Sequence, residues 1–216
     1  MSVRRKMSAA FSAFEAEMMH LQRLDDLNQK RHLPGPGRPR EGGLSTNQLH
    51  LLTEAIFSRA FRQYEKFIEE AFLLYCQGRA SLSGNRVRSF ISPKNAKHAK
   101  QIIQSGMNFL EWNSPSKIID RCEMYLDSNN PIKLAITTHR SKLQCIRKVR
   151  NAIAHASEEA ATQFRSVLRQ ELLVMPLKIP DVGEFLNMRD RNSPNQDYYL
   201  RSYVAILRSV ALVSAA

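Results

Sequence analysis

The amino-acid sequence predicts an all-α protein, a bundle of roughly five to seven helices, and three observations support this prediction. Apolar residues recur at steps of three and four from Met7 to Arg31, which is the period of a helix with one buried face. A helical pattern of about three times the mean helix length runs over 46–78. No segment alternates apolar and polar residues in the manner of a half-buried strand.

A loop rich in proline and glycine separates the first two predicted helices. The segment 32–44 holds three prolines and four glycines, and these residues stop a helix and favour an exposed loop. The hydroxyl of Ser45 or Thr46 would then cap the second helix. We therefore expect an N-terminal helix with its loop over 1–44, followed by one helical domain over 45–216.

Shorter helices are expected further along the chain. One covers 94–104, and two others begin at prolines, because proline suits the first position of a helix. These are Pro115, which follows the expected cap Ser114, and Pro131. The helix that begins at Pro131 is expected to continue without a break into the segment 147–155.

Another helix is expected to begin after Ser157. Two carboxylates, Glu158 and Glu159, follow this serine, and negative charges are favourable at the positive end of the helix dipole. The segment 175–195 contains prolines and is expected to be irregular, and a last helix covers 197–213.

The chain is strongly basic. Lysine and arginine number 32 against 20 aspartate and glutamate residues, which gives a formal net charge of +12. Such an excess indicates a polyanionic partner, most often nucleic acid, although it carries no information about the fold.

The three cysteines, Cys76, Cys122 and Cys145, are far apart in the sequence. Their spacing fits neither a zinc site nor a paired disulfide framework, so we expect buried reduced thiols in a reducing compartment. No cofactor and no metal site are predicted.

Neither end of the sequence predicts a targeting segment or a membrane span. The segment 1–19 has a basic start, but Glu15 and Glu17 interrupt any apolar core of a signal peptide. The segment 202–216 is too short to span a bilayer and contains Arg208. The expectation is a cytoplasmic protein without a membrane partner.

One polar cluster stands out within the helical pattern, in the stretch RKVRNAIAH. Asn151 and His155 are four residues apart and therefore share one face of a helix, and Arg147 precedes Asn151 by the same step. Arg150 would lie roughly 140° from His155 around a regular helix. The cluster is either a catalytic set or the polar end of a core helix, in which the histidine caps carbonyl groups.

The chain resembles HEPN domains at this cluster and at three flanking segments. RNAIAH, residues 150–155, matches the family's Rx(4–6)H signature in its RNxxAH form. YEKFIEE at 64–70, WNSPSKI at 112–118 and VGEFL at 182–186 resemble segments of the RiboL-PSP and MAE-type bacterial HEPN groups. The resemblance covers roughly 45–216.

This resemblance implies a HEPN-like helical bundle that forms a homodimer and cleaves RNA without a metal, in a toxin–antitoxin or phage-defence system. His155 would act as general base or acid, since an imidazole exchanges protons near neutral pH. Arg150 would hold the scissile phosphate, and Asn151 would bind a phosphoryl oxygen or orient the histidine. An antitoxin or an ATPase is a possible protein partner.

Several further residues are candidates for binding RNA or assisting the reaction. The basic residues before the motif, which would contact the RNA backbone, are Arg140, Lys142, Arg147 and Lys148. Such charges also commonly form a solvated helix face. Glu65 is either an accessory acid, a tether for an arginine, or a structural carboxylate.

Two other functions remain open from the sequence. A HEPN-like module could bind nucleotide, RNA or a neighbouring ATPase without cleaving. Alternatively, the chain could be a structural helical adaptor, which would show no salt-dependent association with nucleic acid.

Overall fold

The computed structural model describes residues 5–32, 42–105, 110–172 and 174–216. Over those residues the chain forms nine α-helices and no named strand, which confirms the all-α prediction and exceeds the predicted number of five to seven helices. The helices are α1 (Met7–Arg31), α2 (Thr46–Cys76), α3 (Ala96–Gln104), α4 (Pro115–Tyr125), α5 (Pro131–Thr138), α6 (Arg140–Ala154), α7 (Glu158–Glu171), α8 (Val182–Asn187) and α9 (Tyr199–Ala215).

Most helices begin within two residues of the predicted position, and local caps explain where they begin. Ser45 precedes α2, and its Oγ accepts a hydrogen bond from the Gln48 N–H at 3.3 Å while its own N–H donates to Gln48 Oε1 at 2.9 Å. This reciprocal pair is a capping box. Ser157 caps α7 by accepting from the Ala160 N–H at 3.2 Å. The predicted loop 32–44 lies mostly outside the described residues.

The prediction of one continuous helix from Pro131 into the motif is wrong, because the chain breaks at His139. That residue has φ −104° and ψ 14°, outside the helical region, so α5 ends at Thr138 and α6 begins at Arg140. The Thr138 hydroxyl donates to the Leu134 carbonyl oxygen at 2.9 Å, a local bond that competes with regular helix geometry.

The segment 175–195, predicted to be irregular, contains the short helix α8. Its cap is Asp181, whose carboxylate accepts from the Glu184 N–H at 2.6 Å. A helix of six residues is too short to show a hydrophobic period, and for that reason the sequence pattern does not reveal it.

The chain divides into two compact units. Unit 1 comprises Met1–Ala16, Arg62–Gln144 and Ile206–Ala216, and unit 2 comprises Glu17–Phe61 and Cys145–Ala205. Four helices, namely α1, α2, α6 and α9, contribute residues to both units. The division into 1–44 and 45–216 stays a prediction.

Unit 1 has an aromatic core built mainly on α2. Phe67 contacts Phe14 with ring centroids 5.1 Å apart, and Phe72 lies 5.2 Å from Trp112. The α4 and α5 helices pack against each other in this unit. At its other end, Tyr75 donates a buried hydrogen bond of 2.8 Å to the Ser214 carbonyl oxygen.

Unit 2 has its own aromatic core, in which α8 packs on α9. Phe185 stacks on Tyr199 at 4.5 Å between ring centroids and also contacts Phe164 at 5.7 Å. The Tyr199 hydroxyl donates to the Glu171 carbonyl oxygen at 3.0 Å and so joins α9 to the end of α7. Burial of these rings supplies the main stabilisation of the unit.

All three cysteines are buried thiols, as predicted. Burial raises the pKa of Cys76 and of Cys122 to about 12, so neither thiol ionises near neutral pH. Cys145 Sγ donates to Gln170 Oε1 at 3.3 Å. None of the described helices is long and apolar enough to cross a membrane.

Candidate functional site

The last turns of α6 position the Arg–Asn–His cluster in unit 2. Ile146 and Val149 on this helix are fully buried, and they fix which face of α6 points outward. Arg150 and Asn151 are half-buried beside that apolar face, whereas His155, directly after the helix, is exposed. The imidazole is therefore accessible to a large ligand.

The helical register extends as far as His155. Its N–H donates to the Asn151 carbonyl oxygen at 2.9 Å, which is the spacing of a regular helical turn. The side chains of Asn151 and His155 thus project about 40° apart, and those of Arg150 and His155 about 140° apart. Regular helix geometry alone therefore does not direct the Arg150 side chain toward the His155 imidazole.

Arg150 and Asn151 contact each other. The Arg150 Nη1 atom donates to Asn151 Oδ1 at 3.4 Å, a weak bond that still orients the guanidinium along the helix surface. Because this contact uses the amide oxygen, the Asn151 NH₂ group is left as a donor. The pair therefore presents N–H donors from two adjacent residues, as an anionic ligand requires.

Two of the predicted RNA-binding residues lie beside this cluster in unit 2. Lys148 Nζ donates to Ser166 Oγ on α7 at 3.0 Å, and Ser166 in turn donates to the Gln163 carbonyl oxygen at 2.6 Å. Arg147 is half-buried, and within the described part of the chain its Nε atom is buried without a hydrogen-bond partner. An unsatisfied guanidinium N–H of this kind is costly unless a ligand or water accepts from it.

The remaining predicted residues belong to unit 1. Arg140 is exposed in the first turn of α6, where its Nη2 donates to Ser116 Oγ at 3.1 Å, and Lys142 is half-buried in the same turn. Glu65 is half-buried on α2. The structure therefore groups Arg147 and Lys148, but not these three residues, with the motif.

Sequence reasoning missed the role of Ser166 as a partner of Lys148. The two residues are 18 positions apart, and only the packing of α7 on α6 joins them, so no local pattern could reveal the contact. Among the residues that the structure describes, no group of three or more His, Cys, Asp or Glu side chains is placed to hold a metal ion.

Comparison of the chain with known protein families, with curated proteins and with solved structures finds no match.

Proposed function

We propose that this chain is a metal-independent endoribonuclease of the HEPN type. The observation that carries the proposal is the exposed His155 imidazole at the end of α6, one helical turn after Asn151 and the adjacent Arg150. The resemblance of RNAIAH and its flanking segments to HEPN proteins supports it further. The same resemblance supports a role as toxin or effector in a bacterial toxin–antitoxin or phage-defence system.

The chemistry requires little more than proton transfer and charge stabilisation, because RNA supplies its own nucleophile. The 2′-oxygen attacks the adjacent phosphorus, so that the P–O2′ bond forms and the P–O5′ bond breaks. A general base takes the 2′-hydroxyl proton, and a general acid protonates the leaving 5′-oxygen. The products are a 2′,3′-cyclic phosphate and a 5′-hydroxyl end.

The residues of the cluster suit these steps. The His155 imidazole can serve as base or acid. Arg150, with the Asn151 NH₂ group, can donate to the non-bridging oxygens, whose charge grows as the pentacoordinate phosphorus forms.

A homodimer follows from the same proposal. The reaction needs one base and one acid, but each motif carries one imidazole. The Arg150 and His155 side chains of one copy also project about 140° apart. A second copy facing the first would supply the missing proton donor and place an arginine opposite a histidine.

The decisive experiment is an RNA cleavage assay in EDTA that compares wild type with His155→Ala. We expect wild type to produce 2′,3′-cyclic phosphate ends and the variant to lose at least about 100-fold in rate, the range for removal of a general acid–base group. His155 is exposed, so the helical circular dichroism should not change. The matched control is His20→Ala, which removes an exposed histidine of α1 and should cleave as wild type does.

Two results would contradict the proposal. If His155→Ala cleaves RNA as fast as wild type, His155 is not the general acid or base of the reaction. Salt-dependent RNA binding without cleavage by wild type would instead indicate a non-catalytic module, whose natural partner could be an ATPase. An antitoxin, by contrast, is expected to suppress cleavage that the isolated chain performs.

A further inference from the structure

Five of the twelve residues that line a cavity in unit 1 are basic. Its volume is about 650 Å³, within the range of small-molecule binding sites. It lies between the C-terminal half of α2 and the start of α3. The basic residues of the lining are Arg5, Lys66, Arg79, Lys94 and Lys97.

The two acidic residues of the lining are already neutralised. Glu70 forms an ion pair with Arg5, and Glu69 forms one with Lys100 at 2.6 Å. These pairs leave no carboxylate in the lining without a cation beside it. The acidic residues therefore do not oppose the entry of an anion.

The other four cations of the lining have no such compensation. Lys66, Arg79, Lys94 and Lys97 form no ion pair within the described part of the chain. They are up to 31 positions apart in the sequence, from Lys66 to Lys97, yet they surround one space. Like charges repel, and this cost is offset when a multivalent anion binds among them.

The start of α3 adds hydrogen-bond donors to the same cavity. Asn95 Oδ1 caps the helix by accepting from the His98 N–H at 2.9 Å, and His98 Nδ1 accepts from the Lys94 N–H at 3.1 Å. The N–H groups of Ala96 and Lys97, at the first two helical positions, have no acceptor within the helix. Both residues line the cavity, and such N–H groups suit phosphate oxygens.

One wall of the cavity is apolar. Leu73 and Leu74 of α2 form it together with the stem of Gln77, whose amide nitrogen is held by the Leu73 carbonyl oxygen at 2.8 Å. A ligand that fits this lining has a phosphate group and an organic part with apolar surface. We propose that the cavity binds a small phosphate ester of mononucleotide size.

The test is isothermal titration calorimetry of the full chain with AMP and ATP, and with adenosine and pyrophosphate as probes of each half of the ligand. The variant Lys94→Gln/Lys97→Gln should weaken AMP and ATP binding by at least about tenfold, since it removes two charge-assisted hydrogen bonds to the phosphate oxygens. Both residues are exposed, so the fold should be retained. The control Arg86→Gln/Arg88→Gln removes the same charge from exposed residues of unit 1 outside the cavity.

Wild type is expected to bind AMP, ATP and pyrophosphate, and to bind adenosine weakly or not at all. Of the two double variants, only Lys94→Gln/Lys97→Gln should lose affinity for the phosphate probes. Equal losses in both double variants would show non-specific charge attraction and overturn the proposal. So would adenosine binding as tightly as AMP, or the failure of all three phosphate probes to bind. The proposal would also be overturned if the chain bound only RNA and bound it equally well with and without a 5′-phosphate. His155→Ala should bind these probes as wild type does, which separates this site from the proposed nuclease.

Discussion

Gly183 shows at the scale of one residue how tightly α8 packs on α2. A Cβ atom at this position would lie 2.6 Å from His50 Cβ and 2.7 Å from the His50 carbonyl oxygen. The Gly183 N–H donates to Glu54 Oε1 at 2.8 Å on the next turn of α2. Backbone of α2 cannot move away as a flexible side chain would, so only glycine fits here.

We therefore predict that Gly183→Ala lowers the free energy of unfolding by about 1–3 kcal/mol, the usual cost of overpacking. Urea or thermal unfolding monitored by circular dichroism would measure the change. Glu184→Ala, at the exposed neighbouring position, should change stability by no more than about 0.5 kcal/mol. Equal stability of Gly183→Ala and wild type would mean that α8 does not pack this closely.

At the same scale, the site residues divide into those that a local pattern reveals and those that it does not. The four-residue step from Asn151 to His155 predicts a shared helix face, and the bond from the His155 N–H to the Asn151 carbonyl oxygen confirms it. The Lys148 contact with Ser166 could not be predicted from the sequence, because it depends on two helices packing together. The same reason hides the basic cavity, whose cations come from separate segments.

At the scale of the helix, Asn130 determines where α5 begins. Its Oδ1 accepts from the Lys133 N–H at 2.9 Å, and its Nδ2 donates to the Asp127 carbonyl oxygen at 2.7 Å. The residue is 1% exposed, so both bonds are made away from water. Asn130 thus joins the loop after α4 to the first turn of α5.

Asn130→Ala should lower the free energy of unfolding by about 1–3 kcal/mol, because it removes the helix cap, leaves the Lys133 N–H without its acceptor and takes one of two donors from the Asp127 carbonyl oxygen. Asn129→Ala is the matched control, since this neighbouring asparagine is exposed and does not cap the helix. Denaturant unfolding of both variants would give the difference. Similar losses for the two substitutions would argue against a capping role.

The boundaries of the helices show why sequence patterns predict some elements and not others. Ser45 and Ser157 act on N–H groups three residues away, and such signals can be read locally. The break at His139 carries no comparable signal, and α8, although Asp181 caps it, is too short for a hydrophobic period to mark it. Both depend on surrounding packing, and so the predicted helix count was too low.

At the scale of the whole molecule, the proposed nuclease predicts that activity depends on two copies. Light scattering should show a dimer. If both histidines are needed, wild type refolded with an equal amount of His155→Ala should have about a quarter of the activity of wild type alone at the same total protein concentration, since random pairing leaves about that fraction of all dimers with two intact motifs. Retention of half of the activity, or a fully active monomer, would contradict a shared site. Mixing with His20→Ala should leave the activity unchanged.

Because four helices contribute to both units, neither unit can be produced as a simple truncation of the chain. Unit 1 is assembled from three separate stretches of chain and unit 2 from two, and the boundaries fall inside α1, α2, α6 and α9. No single stop codon or start codon would therefore release either unit intact. A truncation made to isolate the cavity or the RNAIAH motif would sever continuous helices, so point substitutions in the full chain are the sound way to test the two proposed functions separately.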